Sequence, residues 1–235
     1  MTDSATDAGA GRSDVLTGAG IDSTLVVAAL ALYDPSLPYH NANHALHVVQ
    51  LAGRFSRRAL AQSVPHDPDV AVVAALLHDA GYGHHEAAAD AEAHSADLAA
   101  QLLREHGWAE EKIEAVCDAI AATRLTAEGM SVEGLIVRAA DLWEMGATWP
   151  VFAANRTLLR LEAEKLEGVT FDEHAWHARV SRIVGGYALG PMWIAEGPAG
   201  EHAIEPTGRH RRVCDGGVAS WRARVNANLA LHASN

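Results

Sequence analysis

The segment HDPDVAVVAALLHDAGYG constrains this chain more than any other. Asp67 and Pro68 suit the N-cap and first position of a helix. Residues 70–77 are then apolar on every face, and a helix that is apolar all round belongs in the centre of a fold. It runs into His78 and Asp79, followed by a Gly-Tyr-Gly turn. Polar groups at the end of a buried helix need partners. Neighbouring residues on a helix point about 100° apart, so this pair converges on one ion only at the helix end or by bracketing it. A buried Asp beside a buried His is costly unless neutralised. A divalent cation does this directly, because carboxylate and neutral imidazole both ligate it.

The rest of the chain reads as helix. Ala and Leu, the best helix formers, dominate a 49% hydrophobic composition with 20% charged residues. A first helix starts at Asp22 or Ser23 as N-cap and runs through LVVAALALY. Others are expected near 42–62, 90–106, 109–124, 131–146, 150–167, 172–188 and 216–232, with Gly107 and Gly168 at helix C-termini. Residues 1–19 read as a flexible tail. Residues 20–235 read as one irregular all-α bundle, with a motif-bearing core over 38–146 and C-terminal helices over 150–232. The stretch 189–215 reads as a long irregular connection, and no strand pattern or internal repeat stands out.

The net charge of -12 argues against a nucleic-acid duplex as partner. It leaves room for a small nucleotide held through a metal. Two basic clusters, Arg54/Arg57/Arg58 and Arg209/Arg211/Arg212, read as solvated faces or loops. Two cysteines without a CxxC spacing fit a reducing cytoplasm. The acidic N-terminus lacks the basic and apolar regions of a signal peptide. No apolar run is long enough for a membrane span. Association into a homo-oligomer stays open.

The chain has 14 histidines, and the segment from 40 to 94 is dense in them. In PYHNANHALHVVQ, His40, His44 and His47 are spaced by four and three, which puts them on one helical face. Asp141 lies in the apolar stretch LIVRAADLWEMGA; alone, it also fits the surface of an amphipathic helix. His84 and His85 fall in a loop after the His-Asp pair and fit either a solvated loop or one that closes over substrate. His47 suits a supporting hydrogen bond better than direct ligation.

Taken in order, the His…His-Asp…Asp series resembles the HD-domain superfamily of metal-dependent phosphohydrolases, over roughly residues 38–146. YHNANHALHVVQ is similar to the YHNxxH element of cyclic-nucleotide phosphodiesterases and of a bacterial branch of predicted HD phosphohydrolases. The bacterial branch is the better match. DAEAHSA (90–96) looks like a divergent copy of its DNEERSA segment, AADLWEMGA resembles its DADLSILG element, and WRARVNANLA its closing ARxNL helix. The resemblance implies a helical fold and makes His44, His78, Asp79 and Asp141 metal ligands. It puts His40 where the phosphodiesterases keep a proton-donating His, and Asp90 and Glu92 on acidic positions of the bacterial branch.

Binuclear members add two further, well-separated histidines before the last Asp. His84, His85, His94 and His106 are candidates, but no histidine follows His106 until His174. The expectation is therefore one divalent cation (Mn, Fe, Co, Ni, Zn or Mg), with a second ion only through carboxylates and water. His84, His85, Glu92 and His94 are candidates for that second ion or for substrate. The implied activity is metal-assisted hydrolysis of a phosphate ester of a nucleotide or small phosphorylated metabolite. His40 and Asp79 are its catalytic candidates, and nearby basic residues hold phosphate oxygens. The alternatives are a diiron oxygenase of the same fold and a non-catalytic nucleotide-binding regulator.

Overall fold

The computed structural model describes residues 21–83, 90–189, 195–197, 201–203 and 215–234. The tail expected over 1–19 and the loop histidines His84 and His85 lie outside the described residues. In chain order the helices are α1 (Ser23–Leu30), α2 (Ala42–Ala61), α3 (Pro68–Leu77), α4 (Ala91–Glu105), α5 (Glu110–Ala121) and α6 (Val132–Asp141). A 3-10 turn (Leu142–Gly146) leads to α7 (Trp149–Glu167), α8 (Glu173–Leu189) and α9 (Asp215–Ser234). The architecture is all-α.

Two differences from the sequence reading matter. The single helix expected over 131–146 breaks at Asp141 into the 3-10 turn. Within 189–215, read as irregular, β1 (Ala195–Gly197) pairs antiparallel with β2 (Glu201–Ala203) in the register Glu196↔His202. Three-residue strands are too short to show an alternating pattern in the sequence.

Helix starts follow local chemistry. Asp22, Asn41, Asp67, Asp90 and Ser131 each accept a backbone N–H of the first turn they precede. Such a cap contributes about 0.5–2 kcal/mol. Every residue of α3 from Val70 to Leu77 is buried. This helix is packed by α2, α5 and α6, so the most apolar segment is the central pillar. Its C-terminal end is where His78 and Asp79 emerge.

Two devices brace the polypeptide around that end. Gly81 donates its N–H to Ser95 Oγ at 2.8 Å, and a Cβ on Gly81 would lie 2.5 Å from the Ala91 carbonyl oxygen. The turn after Asp79 thus presses directly on the backbone of α4. Gly81→Ala is expected to push α4 away, at a cost of about 1–3 kcal/mol; thermal unfolding with and without added Mn2+ would show a lower midpoint and a smaller metal-induced rise. The second device is α9. Trp221 Nε1 donates to the Trp143 carbonyl at 3.2 Å and Arg224 Nε to that of Gly146 at 2.8 Å. Asn228 donates to the Met145 and Ala147 carbonyls at 3.1 and 2.9 Å. The closing helix therefore ties down the turn that leaves Asp141.

Candidate metal centre and cavity

α3 stops at Leu77, and His78 and Asp79 lie in the turn beyond it. This position lets consecutive side chains converge. His78 is fully buried, and its Nδ1–H donates to the Ala75 carbonyl at 2.9 Å. That bond selects the tautomer whose Nε2 carries the lone pair. His44 comes from the first turn of α2, and Asp141 is the last residue of α6.

These four side chains meet. His78 Nε2 is 2.9 Å from Asp79 Oδ2 and 3.6 Å from Asp141 Oδ1. His44 Nε2 is 3.2 Å from Asp79 Oδ2 and 3.3 Å from Asp141 Oδ1. One ligand atom from each lies within 4.8 Å of all the others, the geometry of a candidate metal site. Atoms about 2.1 Å from a common ion sit roughly 3.0–3.4 Å apart, so the spacing fits. The chemistry fits as well. His44 Nε2, His78 Nε2 and Asp79 Oδ2 are buried without a well-formed hydrogen bond. Buried polar atoms of this kind call for a partner, and a cation bound by all three provides one.

Without an ion the four groups titrate against one another. Burial alone pushes the His44 imidazole down, but hydrogen bonding to Asp141 and Asp79 outweighs it and lifts the pKa to about 9. Burial likewise lowers His78, and the charge of Asp79 more than reverses it. Burial raises the Asp141 carboxyl, yet His44 and His78 hold it at about 2. Asp79 is driven low against burial, chiefly by His78. In the metal-free fold the His44 proton therefore stabilises fully below pH 6.5, its unfolded value, and this contribution is lost as pH rises through about 9. A metal must displace that proton. Its apparent affinity is expected to fall at least tenfold for each pH unit below about 9, since His78 gives up a proton as well. Calorimetry in buffers of different ionisation enthalpy would detect the released proton; an affinity unchanged between pH 6 and 8 would contradict it.

Asp79 and Asp141 line a cavity of about 270 Å³. His40 lines it too, held by Glu162 of α7 in a way the sequence reading missed. Glu162 is 3% exposed. Its Oε2 accepts the backbone N–H groups of Tyr39 and His40, both at 2.9 Å, and its Oε1 pairs with His40 Nδ1. Burial pushes the Glu162 carboxyl up, and the His40 ring and the two amides more than compensate. Tyr82 stacks on the His40 ring with centroids 3.9 Å apart. The available signal was a lone carboxylate at an inward position of the α7 repeat, among Leu159, Ala163 and Leu166.

Glu92 lines the same cavity, and burial together with Asp79 pushes its carboxyl up. His94, on α4, neither joins the ligand cluster nor lines the cavity. Asp90 caps α4 and is clasped by Arg124 at 2.9 Å. Arg138, 1% exposed, holds the Ala122 and Arg124 carbonyls behind it. His47 Nε2 stands 3.2 Å from Glu144 Oε1. Arg54 and Arg57 are exposed, in keeping with a solvated face, and none of Arg54, Arg57 and Arg58 lines the cavity. Arg156 and Arg179 line it instead, paired with Glu173 at 3.0 Å and Glu167 at 2.7 Å. They come from α7 and α8, remote in sequence from the motifs.

A helical bundle that buries two imidazoles and two carboxylates around one point defines a class: an all-α protein with a candidate divalent-metal centre. Residues 41–146 match the family model of the HD domain, which supports membership of the HD-domain superfamily for that segment. The matched segment contains all four cluster residues and leaves out His40 and Glu162. No curated protein matches the chain.

Proposed function

We propose that this protein is a metal-dependent phosphohydrolase acting on the phosphate ester of a small metabolite or nucleotide. The observation that carries the reading is the convergence of the Asp79–Asp141 cluster and the Glu162-held His40 on one cavity. A bound divalent cation supplies a water of lowered pKa and counter-charge for phosphoryl oxygens. His44, His78, Asp79 and Asp141 would hold it, with the metal identity open among Mn, Fe, Co, Ni, Zn and Mg. Asp79, on both the cluster and the cavity, orients the attacking water. A water oxygen bonds to phosphorus as the ester P–O bond breaks. Glu162 occupies His40 Nδ1, which leaves Nε2 to give a proton to the departing alkoxide. Tyr82 fixes the ring plane.

The acidic composition and two cysteines without a CxxC spacing support a cytoplasmic enzyme with a small-molecule partner. No helix among the described residues is long and apolar enough to cross a membrane. Phosphate release from a panel of monoesters, diesters and nucleotides, with each metal in turn, tests the reading. Metal-dependent turnover by the wild type that disappears in Asp79→Ala is the expected result. Stoichiometric metal without turnover of any ester would sink it in favour of a binding protein, and oxygen-dependent turnover with two irons in favour of an oxygenase.

A further inference from the structure

The cavity extends well beyond the cluster, and its wall is built from two helical faces. From α7 come Phe152, Leu159, Ala163 and Leu166, and from α8 Trp176, Val180, Ile183 and Val184. Trp176, Val180 and Ile183 are four and three apart, as are Leu159, Ala163 and Leu166, so each helix turns an apolar stripe to the cavity, that of α7 interrupted at Asn155 and Arg156 before Phe152. Leu166 lines the cavity yet is 46% exposed, which marks it as part of the mouth.

Carboxylates outnumber cationic groups around this wall. Asp79, Asp141, Glu92, Glu144, Glu162 and Glu167 all line the cavity. The guanidinium groups among the described lining residues, Arg156 and Arg179, each pair with a glutamate, Arg156 sharing Glu173 with Arg160. A di- or triphosphate brings several negative charges that need unpaired cationic donors. Placing them here would set them against the carboxylates. One phosphate balanced by a cation at the cluster suits the charge, and the remaining volume suits a group without charge.

We infer that the substrate is a phosphate monoester whose alcohol part is apolar, an alkyl or aryl group seated between α7 and α8. The inference rests on the hydrolase reading and narrows its substrate class away from nucleotides. The volume of about 270 Å³ lies just below the ~300–1,000 Å³ of sites for drug-sized ligands. A short alkyl chain or one or two fused rings is the fitting size.

The test is a chain-length series on the Mn2+-loaded protein: methyl, propyl and hexyl phosphate, then phenyl and naphthyl phosphate, against AMP and ATP. kcat/KM is expected to rise about fourfold per added methylene until the cavity is full, with AMP and ATP below hexyl phosphate. Val180→Asp should flatten the series, the gain from methyl to hexyl phosphate being lost; Ile183→Ser is the milder companion if the first fails to fold. A flat wild-type series, or AMP or ATP as the better substrate, overturns the inference. If no ester is hydrolysed, the hydrolase reading fails separately. Calorimetric binding of methyl- through hexylphosphonic acid then decides the cavity question: affinity that rises with chain length sustains the apolar seat, and constant affinity removes it.

Discussion

Asp79→Asn is expected to leave a folded protein that has lost its metal and its turnover. Asn keeps the volume of Asp but removes one of the two carboxylate charges in the cluster. A divalent ion loses an anionic ligand in a site that is largely out of water, where the loss is felt most. Metal affinity should fall at least a hundredfold, and kcat by about a thousandfold or more. The fold should survive because the change is absorbed by protonation. Burial already favours neutral His44 and His78, and it is the carboxylates that hold their protons. With Asp79 gone, these imidazoles discharge rather than stay charged and unpaired. Metal content after dialysis, kcat and circular dichroism read the three parts. A variant that keeps wild-type metal content and turnover would move the centre away from Asp79.

Glu162→Gln tests the other half of the machinery. Gln can still accept the amides of Tyr39 and His40 but carries no charge to support a protonated His40. Loss of a positioned proton donor costs about 10²–10⁴ in rate. His40→Ala should show that loss in full, and Glu162→Gln about 10–100-fold of it, with metal content unchanged. Two readouts separate this from a merely structural role. The double variant should be no slower than His40→Ala alone, because Glu162 acts through that ring. The loss should also nearly vanish for nitrophenyl phosphate, whose leaving group departs without a proton. An equal loss on alkyl and nitrophenyl esters would make Glu162 a folding residue only.

The braces around the centre give these side chains their precision. Asp141 ends α6, and the turn after it is gripped by Trp221, Arg224 and Asn228. The turn after Asp79 is wedged against α4 at Gly81. Ligands must be held within about half an ångström to bind one ion well. In this chain that is the work of a helix some 80 residues downstream of Asp141 and of one missing Cβ.

The centre was legible in sequence because its signals are local. A fully apolar helix that ends on His-Asp announces a buried polar pair, and the YHNxxH setting marks His44. Caps such as Asp67-Pro68 and the stops at Gly107 and Gly168 depend on neighbours a few residues away, and so they too could be read. Asp141 was legible only through resemblance, since nothing in its own helix shows which face meets His44.

What required the tertiary structure is long-range. Glu162 lies 122 residues from His40, and a glutamate in a helix of alternating charge gives no sign of its target. The cavity wall arises where the stripes of α7 and α8 face each other; each alone reads as an ordinary core face. The charge balance of the cavity was likewise out of reach, because Arg156 and Arg179 pair with carboxylates met only in space. The sequence by itself thus determined a buried helix end that demands a cation. Folding decided which side chain holds His40 and which residues wall the cavity, since both depend on contacts between segments with no local signal to join them.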